Sequence, residues 1–560
     1  MATDLTAALD QHFGFTAFRG MQEEVIGHVM SGHHALVIMP TGEGKSLCYQ
    51  LPALLGEGVA LVVSPLIALM EDQVLALRGK GIAASCIHSL LSADERRDRL
   101  ELALGGQLKI LYITPERFRV GNFQERIRAI SISLLAVDEA HCVSQWGHDF
   151  RPDYSKLGVI RKTLGSPTTL ALTATATPAV QEDILSVLQI PDARTFHTGI
   201  ERPNLFLSVN EIDNEEQKVE RILEVIEDIG GPGIIYHALI RDLRRTEDHL
   251  LRCGFKPLVY HGDLSASERK EQQSKFLASR DDLILATNAF GMGVDKADIR
   301  FILHYQVPRT LEAYYQEIGR AGRDGENAFC ELLYHEPDVS IQREFTEWAN
   351  PNQQFMQQLV DHIEGLGERL HAVDLQTLRE TFLLKNRRDG RIETCLRLLR
   401  SAGCATGNLG LDFEWLRSPT TAEIAQWLPE DKRERNLRGL LEMVRYARAN
   451  GCRKNVIHDY FGFPSIEDGC GACDLDESPS EWMNQGSRYR PIPRGSNVSD
   501  EHHDEAEINR GDWIQIRGWG LCSISRVHRE KKRVRVDVEL ARDLSMRSFD
   551  LARVKWRKVT

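Results

Sequence analysis

Met39-Pro40-Thr41-Gly42-Glu43-Gly44-Lys45-Ser46 follows the apolar run Ala35-Leu36-Val37-Ile38, and about ninety residues later Ser133-Leu134-Leu135-Ala136-Val137 leads into Asp138-Glu139-Ala140-His141. A short run without polar interruption is what a parallel strand buried on both faces needs. A glycine-bearing turn after such a strand leaves backbone N–H groups converging on an anion, and a helix opening at Ser46 adds the positive end of its dipole. In that setting Thr41, Gly42, Gly44, Lys45 and Ser46 cradle a triphosphate. Lys45 brings a point charge to the β- and γ-phosphates, and Ser46 brings a hydroxyl for Mg²⁺. At the end of the second strand Asp138 offers a Mg²⁺ ligand and Glu139 a base for the attacking water. Met39 stands where the general phosphate-loop pattern has its first glycine. The ordered pair predicts a nucleoside-triphosphate motor.

Working outward, further short apolar runs at 60–63, 109–113 and 169–172 alternate with longer amphipathic stretches, the pattern of a doubly wound α/β domain over residues 1–205. A second series, at 233–236, 257–260, 283–286 and 301–305, predicts another over 206–345. Two tandem domains fit this length better than one giant sheet. Residues 355–418 then read as a winged helix, with helices near 355–363, 375–382 and 391–401 and a glycine-rich hairpin over 404–415. Residues 391–397 would be its recognition helix; a helical spacer with a hairpin is the alternative. A long helix near 433–449 and a cysteine cluster occupy 419–478, and 479–508 form a polar, aperiodic linker. Residues 509–560 make a small β module, with strands at 513–516, 521–527 and 533–538 and fourteen Lys and Arg against six Asp and Glu.

The net charge of −12 means that a nucleic-acid partner must be held by local basic patches. No apolar run approaches the length of a membrane span, and the first residues lack a basic region followed by an apolar core, so the expectation is a soluble, cytoplasmic protein with no membrane partner. Eleven cysteines without a framework spacing suit a reducing compartment.

A motor of this kind needs a second surface to complete its site. In Tyr314-Tyr315-Gln316-Glu317-Ile318-Gly319-Arg320-Ala321-Gly322-Arg323, Arg320 and Arg323 can meet a γ-phosphate across a cleft when two domains close. With these motifs in place, residues 5–478 resemble the RecQ family of superfamily 2 DNA helicases. Phe13-Gly14-Phe15-Thr16-Ala17-Phe18-Arg19-Gly20-Met21-Gln22 is similar to that family's adenine-recognition motif, which implies ATP as fuel, with the Gln22 amide on the base edge and Phe15 and Arg19 packed about the base. Segments 63–73, 112–118 and 172–176 resemble the family's strand-tracking and coupling motifs, and segment 286–296 the one that contacts both ATP and the strand, with Asp295 on the nucleotide side. Ser144-Gln145-Trp146-Gly147-His148-Asp149-Phe150-Arg151-Pro152-Asp153-Tyr154 resembles the family's aromatic-rich loop: Trp146 and Phe150 offer faces to bases and Arg151 charge to phosphate. His237-Ala238 stands where the family tends to have Cys and Ser, which predicts altered contacts there.

The resemblance implies a fold of two tandem RecA-like parallel-sheet domains, then a winged-helix-like insert, a helical zinc-binding module and a small SH3/Tudor-like β domain. It implies an ATP-dependent 3′ to 5′ DNA helicase of repair or recombination; a DNA-stimulated ATPase that remodels protein–DNA complexes and an RNA helicase are the alternatives. Cys452, Cys470 and Cys473 resemble three ligands of the family's zinc module. The fourth position holds Asp476, with His458 as the other choice, and either donor suits Zn²⁺. The family commonly places its winged helix and a helical domain after this cluster, whereas here the winged-helix candidate precedes it. The terminal β module looks like the tails of other bacterial helicases and is expected to meet DNA or a protein partner.

Overall fold

The computed structural model describes residues 4–40, 42–119, 122–144, 151–197, 199–291, 294–383, 389–428, 430–467, 469–476, 482, 509–510, 512–516, 520–530, 533–540, 546–551 and 556–559. Among them β1 (Ala35–Ile38), β2 (Val59–Val63), β3 (Ala84–Ile87), β4 (Ile110–Ile113), β5 (Ile132–Val137), β6 (Thr168–Thr173) and β7 (Arg194–His197) form one parallel sheet, in the order β3-β4-β2-β5-β6-β1-β7. A second parallel sheet contains β8 (Leu205–Glu211), β9 (Gly233–Tyr236), β10 (Leu258–Tyr260), β11 (Leu283–Ala286), β12 (Phe301–His304) and β13 (Ala328–Tyr334), in the order β10-β11-β9-β12-β13-β8. Each sheet is covered on both faces by its own pair of apolar clusters, so the central strands are buried throughout. Both domains therefore direct the carboxyl ends of their strands, where α/β sheets bind ligands, toward loops carrying the quoted motifs.

Four strands escape the apolar-run reading, for identifiable reasons. β3 carries Ser85 and Cys86, and β7 is an edge strand with exposed Arg194 and His197. β8 and β13 each contain a polar residue that looks like an interruption. In the fold they satisfy each other: Ser208 donates to Glu331 (3.0 Å), whose carboxylate also receives two N–H groups of Arg221 at 2.8 and 3.1 Å. His237 is likewise internal, its ring 4.7 Å from that of Tyr305 and 3.0 Å from the Thr246 hydroxyl. Burial pushes its pKa down to about 3, so it packs as a neutral ring.

Residues 353–427 have their own apolar core. The helices Gln353–Leu366, Leu375–Phe382 and Arg391–Ser401 precede a hairpin of β14 (Ala405–Thr406) and β15 (Glu414–Trp415), the order expected of a winged helix, with hairpin strands of two residues each. The next helices are not a separate body. In the Glu430–Ala447 helix, Leu440, Met443 and Tyr446 join one core of the second sheet, together with Ile457 and Phe461 of the Arg453–Phe461 helix. Gly439 allows the close approach, since a Cβ there would lie 3.0 Å from Thr310 Cγ2. The linker expected over 479–508 lies outside the described residues apart from Trp482, and that indole is buried against Phe206, ring centres 5.4 Å apart.

The terminal module has five described strands, two more than the sequence pattern identifies: β16 (Trp513–Ile516), β17 (Gly520–Glu530), β18 (Arg533–Leu540), β19 (Met546–Asp550) and β20 (Trp556–Val559). They form an antiparallel meander in which the last strand returns beside the first, order β19-β18-β17-β16-β20. No helix among the described residues is long and apolar enough to cross a membrane.

Candidate ATP cleft, strand interface and metal centre

The phosphate loop leaves β1 through backbone that glycine favours, with φ +94° at Gly42 and +78° at Gly44. Lys45 Nζ donates to the carbonyls of Met39 (2.9 Å) and Pro40 (3.3 Å), and Ser46 opens the Leu47–Leu55 helix. Thr41 lies outside the described residues. Two strands away, Asp138 directly follows β5 and accepts from the Ser64 hydroxyl at 3.4 Å. Burial, then the neighbouring Glu139 charge, push Asp138 up to about 7, while Lys45 opposes the shift. Glu139 adopts φ +48°, a left-handed conformation that a non-glycine residue reaches only at a cost of about 1–3 kcal/mol. One of its carboxylate oxygens sits 3.4 Å from His141 Nδ1, and that nitrogen lies 2.9 Å from the Thr173 hydroxyl. Thr173 ends β6, between the two motif-bearing strands, and its carbonyl also receives the Met39 N–H at 3.1 Å. One residue thus touches both halves of the site, which gives segment 172–176 a physical means of sensing either.

Arg323 comes from the second domain and lies against the phosphate loop: a Cβ on Gly42 would be 3.1 Å from Arg323 Cγ. Its Nη1 donates to Asp295 (2.7 Å) and to the Val294 carbonyl (3.1 Å). Asp295, expected on the nucleotide, is placed as the arginine's counter-ion. Arg320 is buried and donates to the Gly291 carbonyl. Lys45 feels the positive charge of Arg323, and Arg323 that of Arg320 and Arg202, so cations from both domains converge on one cleft, an arrangement suited to a polyanion.

Gln22 is buried and is placed differently from its expected role. Its amide nitrogen donates to the carbonyls of Glu43 (2.8 Å) and Gly44 (3.1 Å), and its oxygen accepts from the Arg19 N–H (2.9 Å). In this conformation the amide holds the phosphate loop, and a two-point bond to a base edge requires those bonds to be exchanged. Phe15 is 51% exposed and Arg19 is exposed, so both remain open to a base.

Of the aromatic-rich stretch, Trp146 and Phe150 lie outside the described residues. Its distal end is anchored to the site: Tyr154 donates to the Asp138 carbonyl (3.1 Å), and Arg151 donates through Nη1 to the Pro65 carbonyl (3.0 Å). Arg151, expected to meet phosphate, therefore commits at least one N–H to stapling its segment to 64–65. Tyr154, Ser64 and His141 are neighbours of the paired acids Asp138 and Glu139 to which residue type and spacing assign no role, although all three fall within the quoted motifs.

The ligand atoms of Cys452, Cys470, Cys473 and Asp476 all lie within 4.8 Å of one another. His458 is outside that group, its Nδ1 2.7 Å from the Pro464 carbonyl. Asp476 accepts the Cys470 N–H (2.8 Å) and lies 3.4 Å from Cys473 Sγ, while the neighbouring Cys470 thiol draws Cys473 down to about 6. Three sulfurs and one carboxylate oxygen are a donor set for tetrahedral Zn²⁺. The cluster is fixed to the motor: residues 472–474 pair with the edge strand β8 through Leu207 N–H to Ala472 O (3.1 Å) and Asp474 N–H to Leu207 O (3.0 Å). Purified protein is expected to carry about one zinc per chain by elemental analysis. Asp476→Ala should lose that zinc and His458→Ala should keep it; the reverse pattern would reassign the fourth ligand.

Three protein families match in the order of the fold: DEAD/DEAH box helicase at residues 19–184, helicase conserved C-terminal domain at 217–325, and RecQ zinc-binding at 412–477. The last begins inside the β14–β15 hairpin. The probable ATP-dependent DNA helicase RecS of Bacillus subtilis (strain 168) is 35% identical over 497 residues, 88% of this chain and 96% of that protein. The chain belongs to the RecQ family. The ATP-dependent DNA helicases RecQ of Bacillus subtilis and Haemophilus influenzae are 43% and 38% identical to it over 63% and 68% of its length. Those matches span 59% and 60% of the two RecQ proteins, a little over half of their length. The fold also resembles that of the DEAD-box helicase Mss116 bound to ssRNA and UDP-BeF, with a TM-score of 0.50 at 15% identity, covering 66% of this chain and 86% of that one.

Proposed function

We propose that this RecQ-family protein is an ATP-dependent DNA helicase that moves 3′ to 5′ along single-stranded DNA and separates duplexes in repair or recombination. The observation that carries the reading is the convergence of Lys45, Asp138, Glu139 and Arg323 from two domains on one cleft. Such a site is complete only when the domains close, so turnover is tied to their relative motion. Ser46 and Asp138 would hold Mg²⁺, which would neutralise phosphate charge in the reaction. Within the chain, Lys45 binds the phosphates, Glu139 orients and deprotonates water, and Arg323 meets the charge that develops in the transition state. The Thr173 contacts and the Tyr154 hydroxyl on Asp138 support communication between this centre and the strand-tracking segments.

The test is strand displacement on 3′-tailed and 5′-tailed duplexes of DNA and of RNA, beside ATPase rates with and without single strands. Displacement of the 3′-tailed DNA alone is expected. DNA-stimulated hydrolysis without displacement would favour the remodelling ATPase, and equal displacement of RNA would remove the DNA assignment.

The terminal module adds a local surplus of eight positive charges to a chain whose total is −12. A bulge between Ile524 and Arg526 interrupts the alternation of β17, leaving Arg526 exposed while Val527 packs inward, and His528, Arg529 and Arg535 are also exposed. Deleting residues 509–560 is expected to leave DNA-free ATPase unchanged and to weaken DNA binding. The logarithmic dependence of affinity on salt should become shallower by about 0.7 for each phosphate that the module neutralises. An unchanged salt slope would assign the module to a protein partner instead.

A further inference from the structure

The helix Leu311–Ile318 ends just before the turn that carries Arg320 and Arg323, and the last carbonyls of any helix lack intrahelical donors. Its own last carbonyls are met by the N–H groups of Gly319, Arg320 and Ala321, and those of the turn that follows are met from the segment joining the two motor domains. Arg202 donates through Nη2 to the carbonyls of Ala321 (2.7 Å) and Gly322 (2.9 Å), and through Nη1 to that of Gly319 (3.3 Å). Asn204, two residues on, donates through one amide nitrogen to the carbonyls of Gly322 and Glu326, both at 2.8 Å. The fit depends on glycine: Gly322 has φ +56°, and a Cβ there would lie 2.5 Å from that amide nitrogen. The interdomain segment is itself held from the other side, because Lys454, next to Arg453 in the metal-bearing module, donates to the Arg202 carbonyl at 3.0 Å. Arg202 also feels the Glu43 charge of the phosphate loop, so the segment lies close to the cleft without supplying one of its reacting groups.

We propose that Arg202 is a positioning residue for the arginines of the cleft. It grips the backbone of the turn 319–322 from the segment that must bend when the motor domains move, so the attitude of Arg323 toward the phosphate loop follows the interdomain angle. Asn204 shares the grip, and Lys454 steadies it against the zinc-binding helix. The inference rests on the reading of Arg323 as the transition-state arginine.

The test is a double-mutant cycle in the full-length protein with saturating single-stranded DNA, reading single-turnover hydrolysis, steady-state KM for ATP and zinc content. Arg202→Ala is expected to lower kcat about 10- to 100-fold with KM changed less than about twofold and zinc retained, since the loss falls on an interaction made in the transition state. Added to Arg323→Ala, the same change should cost less than about threefold, because positioning has no value once the positioned group is gone. Arg202→Lys, whose compact ammonium keeps the charge but lacks the planar fork that spans these carbonyls from two nitrogens, should fall between parent and Arg202→Ala, and it carries the same cycle if Arg202→Ala does not fold. Equal fold-losses in both backgrounds, or a loss confined to KM, would overturn the proposal. If Arg323→Ala itself leaves turnover intact, the underlying reading fails; if Arg323→Ala is crippled while Arg202→Ala matches the parent, only the positioning role fails.

Discussion

Lys45→Ala is expected to abolish ATP hydrolysis, lowering turnover by at least about 10³-fold with the fold retained. The ammonium is held by the Met39 and Pro40 carbonyls at the mouth of the loop, and desolvation there pulls its pKa down. A cation under that penalty gains most when phosphate arrives, so its worth lies in the bound state and not in folding. Its removal also acts at a distance. Lys45 opposes the upward shift of Asp138, which burial and Glu139 push to about 7. Without that opposition the Asp138 pKa rises further, and a carboxyl with a raised pKa becomes a carboxylate only at higher pH. Mg²⁺ uptake by metal-free Lys45→Ala should therefore need more alkaline pH than uptake by the parent, because the proton on Asp138 must leave first. Single-turnover hydrolysis and Mg²⁺ binding across pH, with a thermal melt as the folding control, check both statements. Appreciable magnesium-dependent ATPase in the variant at neutral pH would remove Lys45 from its role.

Arg323→Ala is expected to lower turnover about 10³-fold, roughly 4 kcal/mol of transition-state stabilisation, while ATP binding changes little. Its guanidinium is held by Asp295 and the Val294 carbonyl in the second domain while its aliphatic stem lies against Gly42 in the first. Truncation leaves the phosphate loop, Lys45, Ser46 and Asp138 in place, and ground-state affinity is expected to rest on those groups. Nucleotide binding measured by fluorescence, beside kcat, makes the comparison. Weakened binding at unchanged turnover would move Arg323 from the transition state to the ground state. Asp295→Ala offers a smaller companion effect in the same direction, because it frees the arginine without removing it.

Much of the fold is legible in the sequence because parallel strands buried on both faces must be apolar along their whole length. β1, β9 and β11 coincide with the apolar runs that predict them. β13 escapes that pattern because Glu331 interrupts its run, and only the fold brings Ser208 and Arg221 to that carboxylate. The arginine pair is legible as an incomplete half-site from Arg320 and Arg323 alone, but nothing local in 319–323 names Arg202 as the donor to its carbonyls. Gln22 shows the converse: its motif is plain in the sequence, yet its partners in this conformation are the backbone of 43–44 and not open space.

The sequence by itself determined much of the chemistry: nine of the thirteen strands in the two parallel sheets, and where the anion cradle and the paired acids stand. These follow from residue type and spacing over a few positions, the range in which periodicity and turn geometry act. Only the tertiary structure decided how those pieces meet: Arg323 against Gly42, Arg202 beneath the arginine turn, and Cys452 beside Cys470 with Asp476, the first of the two candidate fourth ligands, next to them. Those meetings join residues tens to hundreds of positions apart, and such distances are set by how apolar faces pack, which no local spacing encodes. The Glu430–Ala447 helix reads as part of a separate module in sequence, yet it becomes a wall of the second sheet because its apolar stripe has no other surface to bury against.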